Sequence, residues 1–172
     1  MSATVLRTRR SRCPLNVALE VFGDRWSLLI VRDLLFKRRH TYRDFAGAEE
    51  RIATNVLADR LARLETEGIL FKKHDPADAR RVLYRLTPKG LDLAPVLVEM
   101  ILWSARYERT AARHAQIREM TEHKARFIAA AKASSQEELA ASGATVVPSR
   151  DDVSRGGRST SRGARVGRSG RS

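Results

Sequence analysis

Cysteine is all but missing from this chain: Cys13 stands alone among 172 residues. One thiol excludes an internal disulfide framework and suits a reducing compartment, while a bridge between two chains stays open. Long apolar runs are missing as well. Nothing approaches the roughly 18 apolar residues of a membrane-spanning helix. The arginine-bearing start MSATVLRTRRSR has no apolar segment behind it to form a secretion signal. A cytoplasmic address with no membrane partner is therefore the expectation. The chain also has no glycine-rich phosphate loop, no nucleophile elbow and no paired-acid arrangement, which argues against enzyme activity, catalytic residues or a cofactor. His40, His74, His114 and His123 are too scattered for metal-ligand spacing, so no metal site is expected.

Acidic residues are scarce at both ends. The net charge is +13, and its location matters more than its total. Residues 1–12 carry +4, residues 13–107 carry 16 basic against 13 acidic side chains, 108–147 carry +1, and 148–172 carry +5. A mildly basic body between strongly basic ends suits a partner with regularly spaced negative charge such as a nucleic acid, double-stranded DNA included, and an anionic membrane surface would also serve on charge alone. The expected organisation is a basic N-terminal arm (1–12), a folded domain (13–107), a helical extension (108–133) and a disordered Ser/Gly/Arg-rich tail (134–172). The tail's seven arginines beyond Pro148 suit either a nonspecific DNA contact or a passive solubilising role.

Within the domain, Pro14 suits a first helical position, and Leu15, Ala18, Leu19 and Phe22 recur at helical spacing. Gly23 ends that helix, Asp24 can cap the next, and Trp26, Leu29, Ile30 and Leu34 form its apolar stripe. Thr41 and Asp44 make a capping-box-like pair opening a short third helix with Phe45 and Ala46 inward. A fourth helix follows in IATNVLADRLARLETEGIL. Relative to Leu57, Leu61 and Leu64 fall at about 40° and −20°, while Asn55, Asp59, Ala62 and Thr66 gather around the opposite pole. Gly68 ends it, and ILFKKHD and VLYRLT form a hairpin whose turn carries Arg80 and Arg81. Thr87-Pro88 starts a long helix with an apolar band through Leu91, Ala94, Leu97, Val98, Ile101, Leu102 and Ala105, in which Pro95 predicts a kink. A domain this small has little core left to cover that band, so a second copy of the chain is the expected cover.

This order is that of a mainly α (α+β) winged helix-turn-helix with a two-stranded wing, a long C-terminal dimerisation helix and a disordered basic tail. The fourth helix would enter the major groove, where short side chains such as Ala58 and Ala62 let its backbone approach. Thr54, Asn55, Ala58, Asp59 and Arg63 are the base-facing candidates, with the amide of Asn55 able to read adenine and Arg63 expected to neutralise Asp59 one turn earlier. Arg60 either clamps a phosphate or braces the fold. Lys72, Lys73, Arg80 and Arg81 of the wing are the backbone or minor-groove candidates. Trp26 and Trp103 read as core or dimer packing before any effector pocket.

From Cys13 to about Tyr107 the chain resembles the HxlR family of bacterial winged-helix transcription regulators. The resemblance rests on Cys13-Pro14, Gly23-Asp24-Arg25-Trp26, Ile52 to Leu57 with Arg60-Leu61, and Val82-Leu83-Tyr84-Arg85-Leu86-Thr87-Pro88-Lys89-Gly90. It implies a homodimer packed through the first and last helices of the domain, binding a palindromic operator as a transcriptional regulator, here expected to repress. Asn55, Ala58 and Leu83 depart from the family's frequent Lys, Thr and Glu, so no operator sequence carries over. Some members sense oxidants or electrophiles through a cysteine at the place of Cys13, so an oxidant or small-molecule effector is a further expectation. Arg10, Arg12 and the following helix favour a thiolate there; a cysteine retained for packing is the plain alternative. The competing function is a nonspecific architectural protein on DNA or RNA, for which the basic ends would be the main feature.

Overall fold

A computed structural model describes residues 11–140. It contains α1 (Pro14–Phe22), α2 (Ser27–Phe36), α3 (Tyr42–Ala46), α4 (Thr54–Thr66), β1 (Leu70–Asp75), β2 (Asp78–Leu86), α5 (Pro88–Leu91), α6 (Ala94–Tyr107), α7 (His114–Glu122) and α8 (Lys124–Ala140). The expected arm lies almost entirely outside the described residues, as does the tail beyond Ala140. Helix α8 itself runs past the boundary placed at residue 133.

Local signals set most boundaries. At Gly23 the backbone turns so tightly that an added Cβ would sit 2.4 Å from the Leu19 carbonyl oxygen. Asp24 then receives the amides of Trp26 (2.8 Å) and Ser27 (3.0 Å), together with the Ser27 hydroxyl (2.5 Å). Thr41 and Asp44 form the full capping box: Thr41 Oγ1 accepts from the Asp44 amide at 3.1 Å and the Asp44 carboxylate accepts from the Thr41 amide at 2.9 Å. After α4, Gly68 adopts φ +67°, and the Ile69 amide folds back onto the Leu64 carbonyl at 2.9 Å.

The core joins α1–α4 to the hairpin. Ile30, Val31, Leu34 and Leu35 of α2, Phe45 of α3, the α4 leucines, Ile69, Leu70, Tyr84 and Leu86 are all buried. The strands are antiparallel, with Leu70 opposite Leu86, Lys72 opposite Tyr84 and His74 opposite Val82. Tyr84 meets Phe45 edge-on at 5.8 Å, and its amide donates to the His40 carbonyl at 2.7 Å, so the wing is fastened to the start of α3. Beneath α2 the buried Asp33 holds Arg39 at 3.0 Å and Arg32 at 2.5 Å, and Arg32 reaches on to Glu50 at 2.5 Å. That chain of charges ties α2 to the loop leading into α4.

Three features depart from the sequence expectation. The long helix after Thr87 is two helices, broken at Asp92-Leu93, and Pro95 sits in the first turn of α6. Proline lacks the N–H that would bond back to Leu91 and its ring crowds that carbonyl, so starting a new helix satisfies it better than a kink. Second, the chain covers part of its own α6: α7 and α8 pack against that helix, Met120 is buried, and Phe127 stacks at 5.7 Å on Phe36. Lys132–Asp92 (2.7 Å) and Lys124–Glu99 (2.6 Å) fasten the layer at its edges. Third, the apolar stripe left exposed on α6 is Val96, Met100, Trp103 and Tyr107, not the band read from the sequence.

Candidate nucleic-acid interface

The physical question for α4 is which side faces inward. Leu57, Leu61 and Leu64 are 0%, 1% and 0% exposed, while Thr54, Asn55, Ala58, Asp59, Ala62 and Thr66 are all exposed. No described segment lies over that short-chained outer face. The helix is held at its leading end by Tyr42, whose hydroxyl donates to the Thr54 carbonyl at 2.8 Å. Its N-cap, Ala53, supplies no side-chain acceptor, so the first-turn amides have no side-chain cap.

The arginines of α4 are placed differently from one another. Arg60 is half-buried and bridges Asp24 (3.4 Å) and Asp59 (3.3 Å), joining α4 to the turn before α2. Burial works against ionisation of Asp24, yet the bonds from Ser27 and the Trp26 and Ser27 amides, with the Arg60 charge, hold its carboxyl below the usual range. The expected Arg63–Asp59 pairing is replaced by Arg60–Asp59. Arg63 turns instead toward α1, where it donates to the main-chain carbonyl of Glu20. Arg63 stands one turn after Asp59 and Arg60 directly follows it; the carbonyl on α1 takes Arg63 and leaves Asp59 to Arg60.

On the wing, Lys72 pairs with Glu65 of α4 at 2.7 Å, and that bond raises its pKa. Arg80 pairs with Asp78 (3.1 Å) and Arg81 with Asp75 (3.6 Å), both at the exposed tip. Lys73 is half-buried and engaged within the chain. The wing is thus a zwitterionic surface with a surplus of cations, not a bare basic finger. Glu65 and Tyr42 were not singled out from the sequence: each acts across elements, and neither spacing nor composition marks such a contact. Cys13 is exposed at the N-cap of α1. Leu15 and Leu19 of that helix are exposed too. Among the described residues no cluster of His, Cys, Asp and Glu could hold a metal ion, and no helix is long and apolar enough to cross a membrane.

A buried leucine stripe under a short-chained helix, a wing directly after it, and a capped helix opening at Thr87 form one continuous unit. A family model described as HxlR-like helix-turn-helix matches residues 21–112, which contain all of it beyond α1. The chain belongs to that family. Membership makes it one of the DNA-binding transcription regulators and not an enzyme. Among curated relatives, the uncharacterized HTH-type transcriptional regulator sll1512 of Synechocystis is 34% identical over 88 residues, 51% of this chain and 64% of that protein. The chain thus spans under two thirds of that relative's length. The HTH-type transcriptional regulator YodB of Bacillus subtilis is 30% identical over 96 residues, 55% of this chain and 85% of that protein. YodB has been solved in a reduced and a diamide-treated form, with TM-scores of 0.47 and 0.43. The solved structure of PA1607, described as a candidate transcription factor, superposes with a TM-score of 0.55 at 33% identity, covering 61% of this chain and 72% of that one. Helices α7 and α8 lie beyond the family match.

Proposed function

We propose that this HxlR-type regulator is a cytoplasmic homodimer that binds an approximately palindromic operator and represses transcription from it. The observation that carries the reading is the disposition of α4, whose leucines are buried while Thr54, Asn55, Ala58 and Asp59 face outward. A major groove admits a helix of that kind, with Thr54 and Asn55 at the leading end. Dimerisation is supported by Leu15 and Leu19 on α1 and by the Val96, Met100, Trp103, Tyr107 stripe on α6, apolar surface that solvent does not favour. Two recognition helices related by a two-fold axis would then enter successive major grooves roughly 34 to 36 Å apart. Arg60, Lys72, Lys73, Arg80 and Arg81 contribute to backbone contact, and Arg63 acts by holding α4 in place.

Redox control through Cys13 belongs to the same reading. The thiol is exposed at the start of a helix whose first turns carry the exposed Leu15 and Leu19, and a bridge between subunits requires the two Cys13 backbones to come within roughly 7 Å across the proposed dimer. The relative YodB, solved in reduced and diamide-treated forms, is a precedent for asking the question.

Shift assays of the reduced and the diamide-treated protein against genomic fragments, with competitor DNA, test the proposal. A specificity ratio of about 10³ or more is expected for one fragment; a few-fold ratio would favour nonspecific architectural binding instead. Asn55→Ala should lower discrimination at particular base pairs, whereas Lys73→Ala should weaken all duplexes alike. A reporter placed behind the footprinted site should fall in output when the chain is expressed. A nonreducing gel that shows only monomer after diamide ends the Cys13 arm alone.

A further inference from the structure

The cations expected at the interface are largely engaged within the chain. Arg60 bridges Asp24 and Asp59, Arg63 bonds the Glu20 carbonyl, Lys72 holds Glu65, and Arg80 and Arg81 hold Asp78 and Asp75. Arg51 is different. It stands three residues ahead of the first residue of α4 and is exposed, and among the described residues no hydrogen bond or ion pair holds its guanidinium. Its backbone lies at φ +53°, a left-handed conformation that glycine adopts freely and a side-chain-bearing residue adopts reluctantly. At the other end of the same helix the chain places glycine in the equivalent conformation, Gly68 at φ +67°. The backbone therefore gives no reason for arginine at position 51, and the free charge does.

The position is also held. The Arg51 amide donates to the Ala48 carbonyl at 3.0 Å, its neighbour Glu50 is pinned by Arg32 at 2.5 Å, its other neighbour Ile52 is buried, and Tyr42 anchors the first turn of α4. A helix lying in a groove about 12 Å wide has a sugar-phosphate strand on either side, and a long side chain at its leading rim comes within reach of one. We propose that Arg51 is a positioning residue that grips a phosphate of the strand flanking the groove, through the paired N–H groups a guanidinium offers to phosphate, and so sets the register of α4 on the duplex.

The inference rests on the DNA-binding reading above, and the test separates the two. Titrate the full chain, its Arg51→Gly variant and an Arg118→Ala control on the exposed surface of α7 with a mixed-sequence duplex of roughly 30 base pairs at several salt concentrations. The inference expects Arg51→Gly to melt at the same temperature or higher, because glycine suits the conformation. Its affinity should fall about tenfold, and the slope of log affinity against log salt should drop by about 0.9 per bound protomer. Arg118→Ala should leave the slope unchanged. An unaltered slope in Arg51→Gly, a lower melting temperature, or an equal loss in the Arg118→Ala control overturns the inference. If the unmodified chain shows no salt-dependent DNA binding, the DNA-binding reading itself has failed.

Discussion

Arg63 of the recognition helix donates a hydrogen bond to the main-chain carbonyl of Glu20 on α1. The contact joins the helix proposed to enter DNA to the helix proposed to pair with a second subunit, so movement of α1 would be felt at α4. A charged donor on a partly shielded carbonyl contributes about 1–2 kcal/mol. Arg63→Ala is therefore expected to lower unfolding free energy by about that amount in urea titration while leaving the preferred DNA sequence unchanged. A changed base preference with unaltered stability would return Arg63 to the groove.

Glu65 places a carboxylate on Lys72 at 2.7 Å, at the junction of α4 and the wing. Near a duplex that carboxylate is repelled and its lysine is occupied, so removing the charge frees a cation for phosphate. Glu65→Gln should tighten binding to any duplex several-fold at low salt and steepen the salt slope by about 0.9 per protomer. The pair is exposed, so its contribution to stability is small, and the melting temperature should hardly move. Unchanged or weaker affinity in the Gln variant would place the wing base away from phosphate.

Much of the fold is legible in the sequence because its signals are local. Thr41 with Asp44, Gly68 after Thr66 and the period-3.6 leucines of α4 need nothing beyond a few residues on either side. The parts that escaped are those settled by distant partners. No helical wheel shows that Arg63 would prefer the Glu20 carbonyl to Asp59, or that Lys72 would meet Glu65. Pro95 carries a helix signal of two meanings, kink or start, and Leu93 and Asp92 resolve it by closing α5. Helix α8 is weakly periodic because only a few residues such as Phe127 and Ile128 pack inward, so its extent past residue 133 left little trace. Arg51 escaped because a left-handed backbone has no sequence signature when the residue is not glycine or asparagine.

Trp103 is 65% exposed and lies 5.7 Å from Tyr107 on the open side of α6. A tryptophan in that position adds nothing to the protomer core, so replacing it tests assembly without breaking the fold. Trp103→Glu should give a folded monomer in sedimentation velocity at micromolar concentration, and should weaken operator binding about 10²-fold because two half-sites are no longer bound as a unit. A dimer that persists in this variant would place the interface elsewhere.

Glu50 gives the fold an acid limit that can be measured apart from the general repulsion of a +13 chain. Its bond from Arg32, working against partial burial, holds the carboxyl from an ordinary 4.5 down to about 2. A carboxyl whose folded pKa lies below its unfolded one stabilises the protein fully above the unfolded value, and that stabilisation is lost as pH falls from about 4.5 toward 2. With the side chain 23% exposed, solvent screening reduces the effect to about 1–3 kcal/mol. Glu50→Gln keeps the shape and cannot titrate. Urea unfolding at pH 6 should find the variant less stable by that amount, and the gap should close as pH approaches 2. Charge repulsion from the rest of the chain acts on both proteins equally and cancels in the difference. A gap that stays constant down to pH 2 would mean that the Arg32–Glu50 contact stabilises through shape and packing, and that the loop carrying Arg51 is not held by charge.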